Sequence, residues 1–322
     1  MTPHDLRLTI GHILRHAPAT SHQGRDAALI DIAQDLLLRH MHDTGVLSLV
    51  AFKGGTALRK LYAGARGRFS TDLDFAVANP DDDPATVTAL LAQSIDGTAL
   101  GPFRYAIDER RGKHHIRYES DFGSVGASGT LQSKIDVGPP PWLPPVERPW
   151  FPLAIHDRYG GPLPKLPLVA IEENIAEKAA RLNRRSPARD AFDLVWVAHE
   201  PGLSINRDLV RRLTVLKCWV DEHGLTLTTT RWSTLPGARP FDPERWLTPR
   251  RRADFDEEAL GLLTTPTPDF DDLGADLSAT YQWLADLDTD ETRLAQGGAG
   301  ERTLALAMLA ELPGRRLSKG LW

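Results

Sequence analysis

A chain of 322 residues is long enough for two modest domains, and its 41% apolar and 25% charged residues are ordinary for a globular protein. A formal net charge of −5 argues against bulk, non-specific nucleic-acid binding and leaves room for a local basic groove. The one cysteine, Cys218, excludes an intrachain disulfide and a cysteine-based zinc site; no apolar run approaches membrane-span length, and no basic-then-apolar leader opens the sequence, so the cytoplasm is the expected location.

Leu29, Ile30, Ala33, Leu36, Leu37 and Met41 recur at helical spacing and predict an amphipathic helix over 25–42. The apolar run 47–52 reads as a short buried strand. It stops at Gly54-Gly55, where a short helical pattern (Ala57, Leu58, Leu61, Tyr62) begins. Glycines at a helix start expose backbone N–H groups and can cradle a phosphate. In a strand over 73–77, Leu73, Phe75 and Val77 face a core while Asp72 and Asp74 share the other face. Two like charges on one face call for a cation between them, and hard cations such as Mg²⁺ take oxygen ligands. Each half is weak alone; in this order they describe metal-assisted phosphoryl or nucleotidyl transfer. The acids 81–83 read as a loop and helix cap ahead of a helix over 86–95.

Runs 103–108 and 114–119 read as strands joined by a hairpin turn at 110–113, and 130–137 as a third strand. There Leu131, Ser133, Ile135 and Val137 face one way, opposite Thr130, Gln132, Lys134 and Asp136. Asp136 is either a third metal carboxylate or an exposed acid paired with a neighbour. The proline-rich stretches 138–145 and 160–164 mark a connecting region near a domain boundary; Trp142, Trp150 and Phe151 suggest that it packs on the surface. A helix over 168–184 puts Lys178 in an apolar stripe with Ile171, Ile175 and Leu182. Lys178 either snorkels past its neighbours or aims at nucleotide phosphates. Glu173, Glu177 and Arg181 read as a helix-surface salt-bridge ladder. The next helix, 189–198, is apolar nearly all round, so Asp193 needs a partner, and Lys178 is the obvious one; Asp190 favours the helix dipole. The remainder is mostly helical, with 225–232 ambiguous between strand and loop. The clusters Arg250-Arg251-Arg252 and Arg315-Arg316 with Lys319 read as solvated faces.

Taken together, Lys53-Gly54-Gly55-Thr56-Ala57-Leu58, then Arg68-Phe69-Ser70-Thr71-Asp72-Leu73-Asp74-Phe75, then Glu173-x-x-x-Glu177-Lys178 with Arg189-Asp190-x-x-Asp193-Leu194 resemble the AbiEii/AbiGii family. These are toxins of the nucleotidyltransferase superfamily and include the MenT toxins of mycobacteria. The gap from Gly55 to Asp72 is longer than in the wider polymerase-β-like pattern and suits this family. The resemblance implies an α/β fold: a polymerase-β-like nucleotidyltransferase core with a mixed sheet (1–165) and a mostly helical C-terminal lobe (166–322). It implies an NTP substrate, Mg²⁺ and an RNA acceptor, in characterised relatives the tRNA 3′ end. Carried over, Asp72 and Asp74 hold the metal with Asp136 as a weaker third ligand, and Lys53, Gly54, Gly55 and Thr56 line the nucleotide. Lys178 binds the triphosphate, Asp193 completes the helical-lobe motif, and Ser70 matches a serine phosphorylated in some relatives to silence the toxin.

The leading expectation is a toxin nucleotidyltransferase acting on RNA, working as a monomer beside a cognate antitoxin encoded by an adjacent gene. A nucleotidyltransferase acting on a protein or a small molecule such as an antibiotic is the first alternative; labelled NTPs offered to each acceptor separate them. A non-catalytic nucleotide- or partner-binding module is the second.

Overall fold

The computed structural model describes residues 6–18, 22–123, 131–227, 230–256 and 267–314. Thr130, Arg315, Arg316 and Lys319 lie outside the described residues. The chain forms two compact units, one of residues 1–138 and 145–168, the other of 139–144 and 169–322.

The first unit is built on α1 (Ile10–His16), α2 (His22–Asp43), β1 (Val50–Lys53), α3 (Gly54–Leu58), β2 (Leu73–Val77), α4 (Pro84–Ile95), β3 (Ala99–Leu100), β4 (Phe103–Arg110), β5 (Lys113–Ser120), β6 (Leu131–Gly138), β7 (Val146–Arg148) and β8 (Leu166–Leu168). Its eight strands form one mixed sheet in the order β3-β4-β5-β6-β2-β1-β8-β7. β2 lies antiparallel to β1 and parallel to β6, so the two strands that carry the acids are central neighbours. Alternation is obeyed: Leu73, Phe75 and Val77 are fully buried, and on β6 Leu131, Ser133 and Ile135 are buried while Asp136 is exposed. The β4–β5 hairpin closes on Arg111 and Gly112, both at positive φ (52° and 71°), as a two-residue turn between right-twisting strands requires. Asp83 caps α4 by accepting from the Thr86 N–H at 2.8 Å.

Two local expectations change. The apolar run before Gly54 is strand only over Val50–Lys53; Val46–Leu49 is a 3₁₀ turn that follows Gly45 at φ 82°. Helix α2 is also not amphipathic in the ordinary sense, because its polar stripe is inside: Asp31, Gln34, Asp35 and Arg39 are all buried.

The second unit holds α5 (Ile171–Arg184), α6 (Ala188–Ala198), α7 (Arg207–His223), a hairpin of β9 (Leu225–Leu227) and β10 (Thr230–Trp232), α8 (Glu244–Leu247), α9 (Phe270–Tyr281), α10 (Thr289–Gln296) and α11 (Arg302–Ala310). Cys218 is buried on α7. The proline-rich segment 139–144 does not pack on the surface: Trp142 is fully buried, with Lys217 over its ring at 4.2 Å. Glu173 accounts for this. Its carboxylate accepts the Trp142 and Leu143 N–H groups at 2.9 and 2.8 Å and the Lys217 ammonium at 2.8 Å. The predicted Glu173–Glu177–Arg181 ladder also engages neighbouring helices, since Glu177 faces Lys217 (3.5 Å) and Arg181 meets Asp190. Arg250 departs from the solvated-face reading as well. It is buried with its guanidinium 5.1 Å from the Trp246 ring, and burial, reinforced by Arg245, pulls it down to about 10, while Arg251 and Arg252 are exposed. Among the described residues no helix is long and apolar enough to cross a membrane.

Candidate active site

In the first unit the acids sit on the sheet face beside the glycine pair. Lys53 is the cross-strand partner of Asp74, and Asp74 is in turn the partner of Asp136, so all three project from one face across β1, β2 and β6. The Lys53 ammonium reaches over β2: a Cβ on Gly138 of β6 would lie 3.6 Å from its Nζ. Gly54 is the tightest point. Its φ is +78°, and a Cβ there would stand 2.6 Å from Asp74 Oδ2, so the start of α3 is packed directly on the carboxylate. Gly55 and Thr56 are buried in the same first turn. Asp72 and Asp74 are each half-buried, and Ser70 is half-buried two residues before Asp72. Asp136 carries a 63% exposed side chain, and its Oδ2 pairs with the Lys134 ammonium at 3.1 Å. Among the described residues no cluster of three or more His, Cys, Asp or Glu side chains is arranged to hold a metal. A carboxylate pair such as Asp72 and Asp74 fits the donor chemistry of Mg²⁺, which is commonly held by one or two carboxylates together with substrate phosphates.

The main chain beneath these acids is fixed from behind. Thr56 donates its hydroxyl to the Asp72 carbonyl. Buried Gln34 on α2 donates to the Thr71 carbonyl at 2.9 Å and to Ser133 Oγ on β6 at 3.1 Å. One turn before Gln34 and directly after it, Asp31 and Asp35 face Arg59 and Lys60, which follow α3 in a π-helical turn, Arg59–Ala63. Burial alone would push the Asp31 carboxyl up. The Arg59 guanidinium first, then Lys60 and His16, hold it well below the usual carboxylate range. Asp35 behaves likewise, with Lys60 and then His156 outweighing burial, and it accepts the Tyr159 hydroxyl at 2.7 Å. Nothing in the sequence pattern singled out Gln34, Asp31, Asp35, Arg59 or Lys60. The available signal was their spacing at 31, 34 and 35, three polar residues clustered on one face of a helix.

In the second unit Lys178 meets both acids of the next helix. Its buried ammonium donates to Asp190 Oδ1 and Asp193 Oδ2, each at 2.8 Å, and Arg181 donates to Asp190 Oδ2 at 3.0 Å. Asp190 is fully buried, so its role is this ion pair and not only the helix dipole. The spacing of 190 and 193 puts both carboxylates on one face of α6, toward α5. Two of the three ammonium donors of Lys178 are used by these acids.

Comparison with known proteins bears on this arrangement. No curated protein matches the sequence. A solved structure, that of MenT4, a nucleotidyltransferase toxin from Mycobacterium tuberculosis H37Rv, is similar with a TM-score of 0.80 and 34% sequence identity, covering 94% of this chain and 98% of that one. The family model described as nucleotidyl transferase AbiEii toxin, type IV TA system, matches residues 36–276, well over half of the chain and a span that contains Lys53, Gly54, Gly55, Asp72, Asp74, Asp136, Lys178, Asp190 and Asp193. The chain belongs to the AbiEii nucleotidyltransferase toxin family of toxin–antitoxin systems.

Proposed function

We propose that this toxin transfers a nucleotidyl group from an NTP to RNA, with the tRNA 3′ end as acceptor and Mg²⁺ held by Asp72 and Asp74. The observation that carries the reading is the contact of Gly54 with Asp74, which seats a helix start against a carboxylate whose cross-strand neighbours are Lys53 on β1 and Asp136 on β6. A triphosphate lying at that start meets the backbone N–H groups of Gly54 and Gly55 and the Lys53 ammonium, all donors suited to phosphate oxygens. Bound between Asp72 and Asp74, the metal would activate the acceptor hydroxyl and offset charge on the departing pyrophosphate. The acceptor hydroxyl attacks the α-phosphate in line; the P–O bond to pyrophosphate breaks as the new phosphodiester forms. Lys178 keeps one N–H donor for a phosphate oxygen while Asp193 and Asp190 accept the other two. Asp136 enters as a metal ligand only by leaving Lys134. A phosphate on Ser70 would add close to two negative charges two residues from Asp72, on the order of magnitude that rejects a triphosphate. This is a route to silencing, whether or not the cognate antitoxin uses it.

The test is transfer of label from each of the four NTPs to purified tRNA, total protein and aminoglycosides, with wild type and Asp72→Ala. Label on tRNA that disappears in Asp72→Ala supports the reading. Undiminished transfer by Asp72→Ala, or label confined to protein or antibiotic, overturns it.

A further inference from the structure

We infer that the helical unit carries a second site, distinct from the ion cluster of Lys178, that binds a nucleotide of single-stranded RNA by stacking its base on Trp283 and pairing its phosphate with Arg207. The site is a cavity of about 620 Å³ between the C-terminal end of α6, the start of α7 and the turn that follows α9, within the range of roughly 300–1,000 Å³ that small ligands occupy. Val197, Leu203 and Ile205 give it an apolar wall; Arg207, Gln282, Trp283 and Asp286 give it polar and aromatic character.

Three features select a nucleotide. Trp283 is half-exposed and its ring is held in place, because its Nε1–H donates to the Thr280 carbonyl at 2.8 Å and its ring lies 5.6 Å from that of Tyr281. A fixed, accessible indole is a stacking platform for any base. Arg207 is exposed and forms no ion pair among the described residues; its guanidinium lies over the Trp283 ring, 5.7 Å from its centroid, so a cation without a carboxylate partner stands at the platform. Among the described residues it is the only cation lining the cavity, and its complement is one phosphate. Gln282 and Asp286 are exposed on the same rim and supply acceptors. A carboxylate accepts from the exocyclic amine of a base, which favours cytosine or adenine over uracil.

The cavity also shares a helix with the ion cluster. Val197 lies one turn beyond Asp193 on α6, about 6 Å along the helix axis. A strand of RNA anchored at Trp283 is thereby held to the same helix that carries Asp193. This inference rests on the RNA-acceptor reading above, and it assigns that acceptor a docking point away from the sheet.

Anisotropy of a fluorescent ten-residue oligocytidylate, titrated with full-length protein, tests it. Trp283→Ala should weaken binding about tenfold, in the range of one lost base stack. Trp283→Phe, which keeps a ring, should stay within about threefold of wild type. Arg207→Ala should weaken binding and flatten the salt dependence by about 0.7, one phosphate on a single strand. Oligouridylate should bind more weakly than oligocytidylate, and Asp286→Asn should narrow that gap. Arg207 and Asp286 are exposed, so these variants keep the test alive if Trp283→Ala does not fold. Transfer kinetics add a separate readout: the KM for tRNA should rise with the KM for NTP unchanged. Wild-type RNA affinity and wild-type tRNA KM in all of these variants would overturn the site while leaving RNA transfer intact. A protein that labels no RNA and binds none refutes the function and the site together. Unchanged RNA binding with lost neutralisation by the antitoxin would make this a protein interface, and the inference would be wrong.

Discussion

Replacing Gly54 by alanine separates a backbone effect from a site effect. The residue is at φ +78°, where a side chain costs on the order of 1–2 kcal/mol. Its new Cβ would also stand 2.6 Å from Asp74 Oδ2. Opening that contact to ordinary van der Waals distance displaces the carboxylate by about 0.8 Å, and a misplacement of about 1 Å at a reacting centre can cost on the order of 100-fold in rate. Gly45 supplies the control, since it has nearly the same φ, +82°, with nothing within 4 Å of its would-be Cβ. Gly45→Ala should lose about 1 kcal/mol of stability in urea titration and keep full nucleotide transfer. Gly54→Ala should lose a similar stability and about 100-fold in transfer of labelled NTP. Equal activity in the two variants would show that the position of the Asp74 carboxylate does not govern the reaction, and the proposed site would fall with it.

Three further outcomes follow from other contacts. Lys178→Met removes the cation shared by two buried carboxylates and should destabilise by about 3 kcal/mol, the scale for breaking a buried pair; a urea midpoint equal to wild type would mean that the cluster is not held together by Lys178. Gln34→Leu leaves the half-buried Thr71 carbonyl and the buried Ser133 hydroxyl without this donor, at about 1–3 kcal/mol. It should reduce kcat more than it changes KM for NTP, which steady-state kinetics would read; a change in KM alone would place Gln34 outside the support of Asp72. Asp31 and Asp35 are depressed in the folded state, so their contribution is complete above the unfolded value near 3.8 and is lost as pH falls below it toward the folded values. Melting temperature should therefore drop steeply below about pH 4, and the drop should be shallower in Asp31→Asn, which begins from a lower plateau; parallel curves would assign acid unfolding to other carboxylates.

Much of the site is local and was therefore readable. Alternation alone put Asp74 on the face opposite Leu73 and Phe75, and helical spacing alone required a partner for Asp193 and offered Lys178. Asp190 and Glu173 were misread for the opposite reason. Their partners, Lys178 with Arg181, and the N–H groups of Trp142 and Leu143, are set by packing, and an acid near a helix start looks the same whether it meets the dipole or a buried donor.

The support under the carboxylates was hidden for a stronger physical reason. A polar stripe at 31, 34, 35 and 39 has the period of a solvent face, and only the arrival of Arg59 and Lys60 makes it a buried one. Those same residues answer the long gap between Gly55 and Asp72. Arg59 donates to the Gly64 and Gly67 carbonyls at 3.1 and 2.7 Å, Gln34 to the Thr71 carbonyl, and Thr56 to the Asp72 carbonyl. Every acceptor in that series is main chain, so these hydrogen bonds leave no side-chain signature of their own in the loop. Helix α2 and the turn after α3 act as the template, with Asp31 holding Arg59 and Gln34 holding Thr71 from one face of one helix. The spacing of the glycine pair from the acids is then set by where Arg59 and Gln34 can reach, which is why a gap longer than the wider pattern still delivers Asp74 to Gly54.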